Sequence, residues 1–125
     1  MGPVWQVRAG AVLAALAVAA GAFGAHALRE TLTPDRLDTW KVAASYQLIH
    51  AVALVALGAS GRLTTGMGVW GAVLLVAGCL IFSGSLYALC LSGIGKLGAI
   101  TPLGGLAFIS GWVLIAVSWS DSGDS

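Results

Sequence analysis

The chain has 125 residues, of which 58% are hydrophobic and 9% charged, with a net charge of +1. Soluble domains carry about 25% charged residues, so this composition cannot build a polar surface and the solvent around the fold must be largely lipid. The near-neutral balance supplies no basic patch, which argues against nucleic acid as a partner.

Charges divide the chain into four uncharged runs: Ala9 to Leu28, Val42 to Gly61, Leu63 to Gly95 and Leu97 to Ser120. A bilayer-spanning helix needs about 20 apolar residues, and every run reaches that length. Backbone polar groups cannot stay unpaired in lipid, and the alternation of a β-barrel strand is absent. The pattern predicts an all-α membrane protein with four transmembrane helices, at approximately 5–28, 34–60, 66–91 and 102–119, followed by an acidic tail at 120–125. Short connections force antiparallel neighbours, so the expected architecture is a single-domain up-down bundle.

The first run follows Arg8 and ends in Ala25-His26-Ala27, which has the look of a signal-peptide cleavage site. Its uncharged stretch of 20 residues exceeds the 7–15 of a signal core, and Phe23 and His26 are bulky for a cleavage site. The first helix is therefore expected to remain in the membrane.

Between Arg29 and Lys41 stand six charges in thirteen residues. Here "TLTPDRL" reads as a helix start. Thr33 is the expected N-cap, Pro34 the first helical residue, Asp35 a first-turn acid, and Leu32 with Leu37 a hydrophobic staple. "AITPLGG" repeats the Thr-Pro pair, so Thr101 is the expected N-cap of the fourth helix, on the same side. The repetition hints at two related helical hairpins.

Polar groups at membrane depth each need a partner or a purpose. In the second helix Tyr46, Gln47 and His50 are spaced to share a face. His26 ends the first helix, and Ser83, Ser85 and Tyr87 end the third, all toward the side that holds Arg29–Lys41. In a first-to-second helix hairpin, Tyr46 and Gln47 are expected level with His26. These seven residues form the candidate intramembrane polar cluster. Its simplest role is structural, tying helices together at about 0.6–2 kcal/mol per hydrogen bond. Other readings are a haem held by His26 and His50, a proton or small-solute path without a buried carboxylate, and a pocket for lipid, quinone or a partner's helix. Nothing resembles a catalytic set, a metal-ligand cluster or a phosphate-binding loop. Cys79 and Cys90 are eleven residues apart, about 16 Å on one helix, too far to bridge there, and read as apolar filler.

The chain has 18 glycines. In lipid, helices associate through close packing of small residues. Gly21, Gly24, Gly71, Gly78, Gly84, Gly104, Gly105 and Gly111 are the expected packing positions, suited to a compact bundle, a homo-oligomer or docking on a larger membrane complex.

Arg29, Arg36, Lys41 and Lys96 fall on one side, against Arg8 and Arg62 on the other. The positive-inside rule then puts loops 29–41 and 92–101 in the cytoplasm and both termini outside. Trp5, Trp70 and Trp119 at one set of helix ends, and Trp40 at the other, read as an aromatic belt, with Trp112 facing neighbouring helices.

Taken together, "GAFGAHAL", "YQLIHAVALVALG", "FSGSLYAL" and "ITPLGGLAFISGW" resemble the signature segments of a family of small bacterial inner-membrane proteins of unknown function, the YgdD-like proteins, which has a metazoan relative. The resemblance runs from about Gly21 to Trp112 and implies an uncleaved first helix and four spans. That family often has glycine where this chain has Ala27, so this helix end is less free to turn left-handed. The resemblance brings no activity. The expectation is a non-enzymatic inner-membrane protein without a cofactor, in contact with membrane lipids, serving as an accessory subunit of a larger complex. The alternative is transport or lipid and quinone binding at the polar cluster.

Overall fold

The computed structural model describes residues 4–64 and 66–119; the acidic tail expected at 120–125 lies outside them. Four helices are long and apolar enough to cross a membrane. We number them α1 (Val4–Leu28), α2 (Pro34–Ser60), α3 (Gly66–Ser92) and α4 (Thr101–Ser118).

α2 starts as its sequence dictates. Thr33 is extended, and its hydroxyl accepts from the Arg36 N–H at 3.3 Å. Pro34 fills the first turn, and Leu32 and Leu37 pack into one apolar cluster behind the cap. Gly61 and Gly93, at φ of 72° and 75°, close α2 and α3 in the left-handed conformation that a side chain would disfavour. Thr101 corrects the expectation made for it. A 3-10 turn at Gly95–Ala99 leads into α4, and Ile100 is already helical, so no extended residue is available to cap. The Thr101 hydroxyl instead meets that of Ser85 at 2.6 Å.

α1 packs chiefly on α2, and α4 chiefly on α3. The contacts run in opposite directions along each pair. Gly68 faces Ser118 and Gly104 faces Phe82 at the two ends of the α3–α4 hairpin. In the α1–α2 hairpin, Gly58 faces Gln6 and Gly24 faces Trp40. Glycine sets the spacing. A Cβ at Gly71 would lie 2.7 Å from Ile115 Cγ1 and 3.0 Å from the Gly111 carbonyl oxygen, and one at Gly10 would lie 2.7 Å from the Ala51 carbonyl oxygen. Gly78 receives the Phe108 ring face, and Gly104 receives the Phe82 backbone. Gly10, Gly58 and Gly68 thus join the packing set. Gly84 and Gly105 leave it, because a Cβ at either would meet nothing within 4 Å.

Two helices contain a π turn, Ala19–Gly24 in α1 and Cys79–Ser83 in α3. A π turn absorbs one extra residue and re-phases everything beyond it. Leu13 and Ala17 are buried at helical spacing, and the π turn then brings Ala25 onto the same line. His26 is left on the outside.

Gly104→Ala should lower stability by about 1–3 kcal/mol, the range for forcing atoms into a packed interior. Gly105→Ala should leave it unchanged or raise it by up to about 1 kcal/mol through helix propensity. Unfolding midpoints of the two variants in the same detergent check this.

Candidate functional site

The polar residues expected to form one cluster occupy three places, with Ser85 in a fourth. His26 is exposed, and no hydrogen bond ties it to Tyr46 or Gln47. The hairpin register explains the correction: Gln47 sits against Leu13, while the stretch beside His26 faces the start of α2, as Gly24 against Trp40 shows. His26 and His50 are therefore roughly 20 Å apart along the hairpin axis. One metal with bonds of about 2 Å to imidazole nitrogen cannot reach both, so a haem held by this pair is ruled out.

The second place is a node where α1, α2 and α3 meet. Gln47 is buried, donates from Nε2 to the Leu13 carbonyl at 2.8 Å, and accepts at Oε1 from the Tyr87 hydroxyl at 2.7 Å. One turn away, the Ser83 hydroxyl donates to the Ala43 carbonyl at 2.7 Å. Tyr87 lies beside Trp40, with ring centroids 4.7 Å apart. Trp40, near the start of α2, is buried, its indole N–H donating to the Ala20 carbonyl at 2.8 Å inside the π turn of α1. Cys90 donates to the Arg36 carbonyl at 3.2 Å and completes the tie between α2 and α3.

The third place is an aromatic stack on the other flank of α2. The His50 ring lies on Phe108 at 3.7 Å, with Tyr46 at 6.2 Å and Trp112 at 5.8 Å, while Phe82 touches Tyr46 and Phe108. His50 Nδ1 is 2.7 Å from the Tyr46 carbonyl oxygen. A carbonyl only accepts, so Nδ1 carries the hydrogen of this bond. Tyr46, Gln47 and His50 were expected on one face. They divide, because Gln47 turns to α1 and α3 while Tyr46 and His50 turn to α4. Ser85 joins neither group; it donates to the Phe82 carbonyl and meets Thr101.

The node opens sideways into a cleft of about 330 Å³ lined by Leu13, Leu16, Gln47, Cys79, Leu80, Gly84 and Tyr87. Gly84 keeps it open, since nothing fills the space its missing side chain would take. Leu13, Phe108, the π turns and the Gly84 opening were not read from the sequence. Backbone carbonyls carry no sequence signature as acceptors, and a π turn has none either.

These features define a four-helix integral membrane protein with an internal polar node. The chain belongs to the family described as protein of unknown function (DUF423), whose model matches residues 20–105. It is 42% identical over 109 residues to a UPF0382 membrane protein of Staphylococcus aureus, covering 87% of this chain and 89% of the relative. To the UPF0382 membrane protein YwdK of Bacillus subtilis it is 42% identical over 111 residues, covering 87% and 90%. A UPF0382 membrane protein of Staphylococcus saprophyticus is 44% identical over 108 residues, covering 86% and 90%. No solved structure matches the chain.

A double-mutant cycle on Gln47→Leu and Tyr87→Phe should give a coupling of about 0.6–1.7 kcal/mol, the range for hydrogen bonds between membrane helices. Unfolding in mixed micelles measures it, and additive losses would show that the bond carries no energy.

Proposed function

We propose that this protein is a non-catalytic binding protein of the inner membrane that holds a small lipid-soluble molecule with a carbonyl or hydroxyl head, such as a quinone, in the cleft beside Gln47 and Tyr87. One observation carries the reading. A cleft bounded mostly by leucine, glycine and cysteine ends on a tyrosine–glutamine pair that keeps unused bonding capacity. Tyr87 Oη still has acceptor lone pairs, and Gln47 Nε2 has a second hydrogen. A volume of about 330 Å³ lies within the 300–1,000 Å³ typical of small-molecule sites, which are likewise mainly apolar with few convergent polar groups. Proton transport has less support, since the node lacks a carboxylate. A second reading, an accessory subunit packed on a larger complex or on its own copies, is favoured by Gly84 and Gly105, small positions without a close neighbour.

The ligand reading is tested by titrating detergent-solubilised protein with a decyl-chain benzoquinone and following the heat of binding. Saturable binding should weaken about five- to tenfold in Tyr87→Phe, the worth of one hydrogen bond near 1 kcal/mol or slightly more. It should vanish in Gly84→Leu, whose Cβ has nothing within 4 Å and whose remaining atoms occupy the cleft, while helical content and the melting midpoint confirm that the variant is folded. Binding that survives Gly84→Leu, or no saturable binding in the parent, overturns the reading.

The proposed orientation puts loops 29–41 and 92–101 in the cytoplasm and both termini outside, supported by the four-to-two split of lysine and arginine. Cys79 and Cys90 are buried, so single exposed cysteines can report sidedness. In intact cells a membrane-impermeant maleimide should label Ser60→Cys and leave Thr31→Cys unlabelled.

A further inference from the structure

A second groove lies on the outer flank of the α1–α2 hairpin, separate from the Gln47 cleft. Its volume is about 410 Å³, and Ala17, Val18, Gly21 and Ala22 of α1 face Lys41, Ala44, Ser45 and Leu48 of α2 across it. The groove exists because the residues that meet there are small: the nearest approach a Cβ on Gly21 would make is 3.5 Å, to the Ala44 side chain. Its floor is apolar, and the single charge in its lining is Lys41, where α2 enters the apolar run. Lys41 and Ser45 are one helical turn apart and so share a face. Both are exposed, Lys41 forms no ion pair among the described residues, and the Ser45 hydroxyl makes no hydrogen bond among them. The nearest acids in sequence, Asp35 and Asp38, are exposed and form no ion pair with it either.

We propose that this groove is a binding site for one anionic glycerophospholipid, its acyl chain lying between Val18, Ala22 and Leu48 and its phosphate held by the Lys41 ammonium and the Ser45 hydroxyl. The charge at the mouth selects this occupant. A zwitterionic lipid brings its own ammonium, which competes with Lys41 for the phosphate and adds a like charge beside it, whereas a lipid of net negative charge leaves its phosphate to Lys41. A second copy of this chain docked there about a two-fold axis along the membrane normal would set Lys41 against Lys41 at the same depth, a like-charge contact that opposes the dimer. An acidic headgroup satisfies both polar groups at once. A lysine at an anionic membrane surface contributes about fivefold in lipid affinity, and the hydroxyl adds a directional bond.

Native mass spectrometry of the full chain, released from a neutral detergent with equal amounts of phosphatidylglycerol and phosphatidylcholine, tests this. One phosphatidylglycerol should be retained in preference to phosphatidylcholine. Lys41→Gln should reduce that preference at least about fivefold, and Ala22→Phe, which fills the groove, should remove the bound lipid. Lys96→Gln, a cation of the same side in the 3-10 turn and outside the groove lining, should behave as the parent. Helical content and melting midpoint confirm that each variant is folded. Equal loss in Lys96→Gln and Lys41→Gln means a diffuse field rather than a site, and overturns the proposal. So does a preference unchanged by Lys41→Gln, or a bound lipid that survives Ala22→Phe.

Discussion

The structure depends on close backbone approach at glycine. Water drives helices together in a soluble bundle by expelling apolar surface, but lipid gives no such drive, because it solvates leucine as well as a neighbouring helix does. Contact must then supply the attraction, and contact falls steeply with distance. Gly10, Gly58, Gly71, Gly78, Gly104 and Gly111 are where the chain brings main chain or ring against main chain. The composition that would cripple helices in water, 18 glycines in 125 residues, is the composition that lets these hairpins close.

Close packing alone sets a distance and leaves the helices free to slide. The hydrogen bonds remove that freedom, and most run from a side chain to a carbonyl on another helix: Gln47 to Leu13, Ser83 to Ala43, Trp40 to Ala20, Cys90 to Arg36. Each fixes one level of one helix against another. Gln6 does the same at the opposite end, donating to the Leu63 carbonyl while its own Oε1 is the one buried side-chain oxygen without a partner among the described residues. Polarity at depth is thus concentrated on α2, which meets α1 through Gln47, α3 through Ser83 and α4 through His50.

The spans were legible because length and hydropathy settle them; the start of α2 was legible because Thr33, Pro34, Leu32 and Leu37 act within one turn of each other. The site was legible in residue type and misread in arrangement. Gln47 and His50 are buried and Tyr46 is exposed, and helical spacing alone cannot say which neighbour each one meets. His26 was misplaced for two physical reasons. Only five residues separate α1 from α2, and α2 packs from its first turns, so the pairing level shifts toward Trp40. The π turn then re-phases the end of α1. Thr101 shows the same limit: identical Thr-Pro pairs start different helix ends because one is preceded by extended chain and the other by a 3-10 turn.

The two hairpins are built on one plan, and their differences locate the chemistry. Both open with a helix carrying a π turn, and both close on a partner that presents its seam at matching levels, Gly10 against Ala51 in one and Gly71 against Gly111 in the other. At the level where the first hairpin places Gln47, the second places Phe108; where the first has Ala43, the second has Gly104. The second hairpin thus fills its seam with a ring and with bare backbone, which suits a buttress. Phe108 lies against Gly78 on one side and His50 on the other, holding the face of α2 that turns away from the cleft. Gln47 on the remaining face is anchored from α1 and from α3 beside the opening left by Gly84. The proposed ligand site thus rests on three features, a packed buttress, an amide anchored from two helices and an unfilled cleft, each of which lowers the ordering cost of binding.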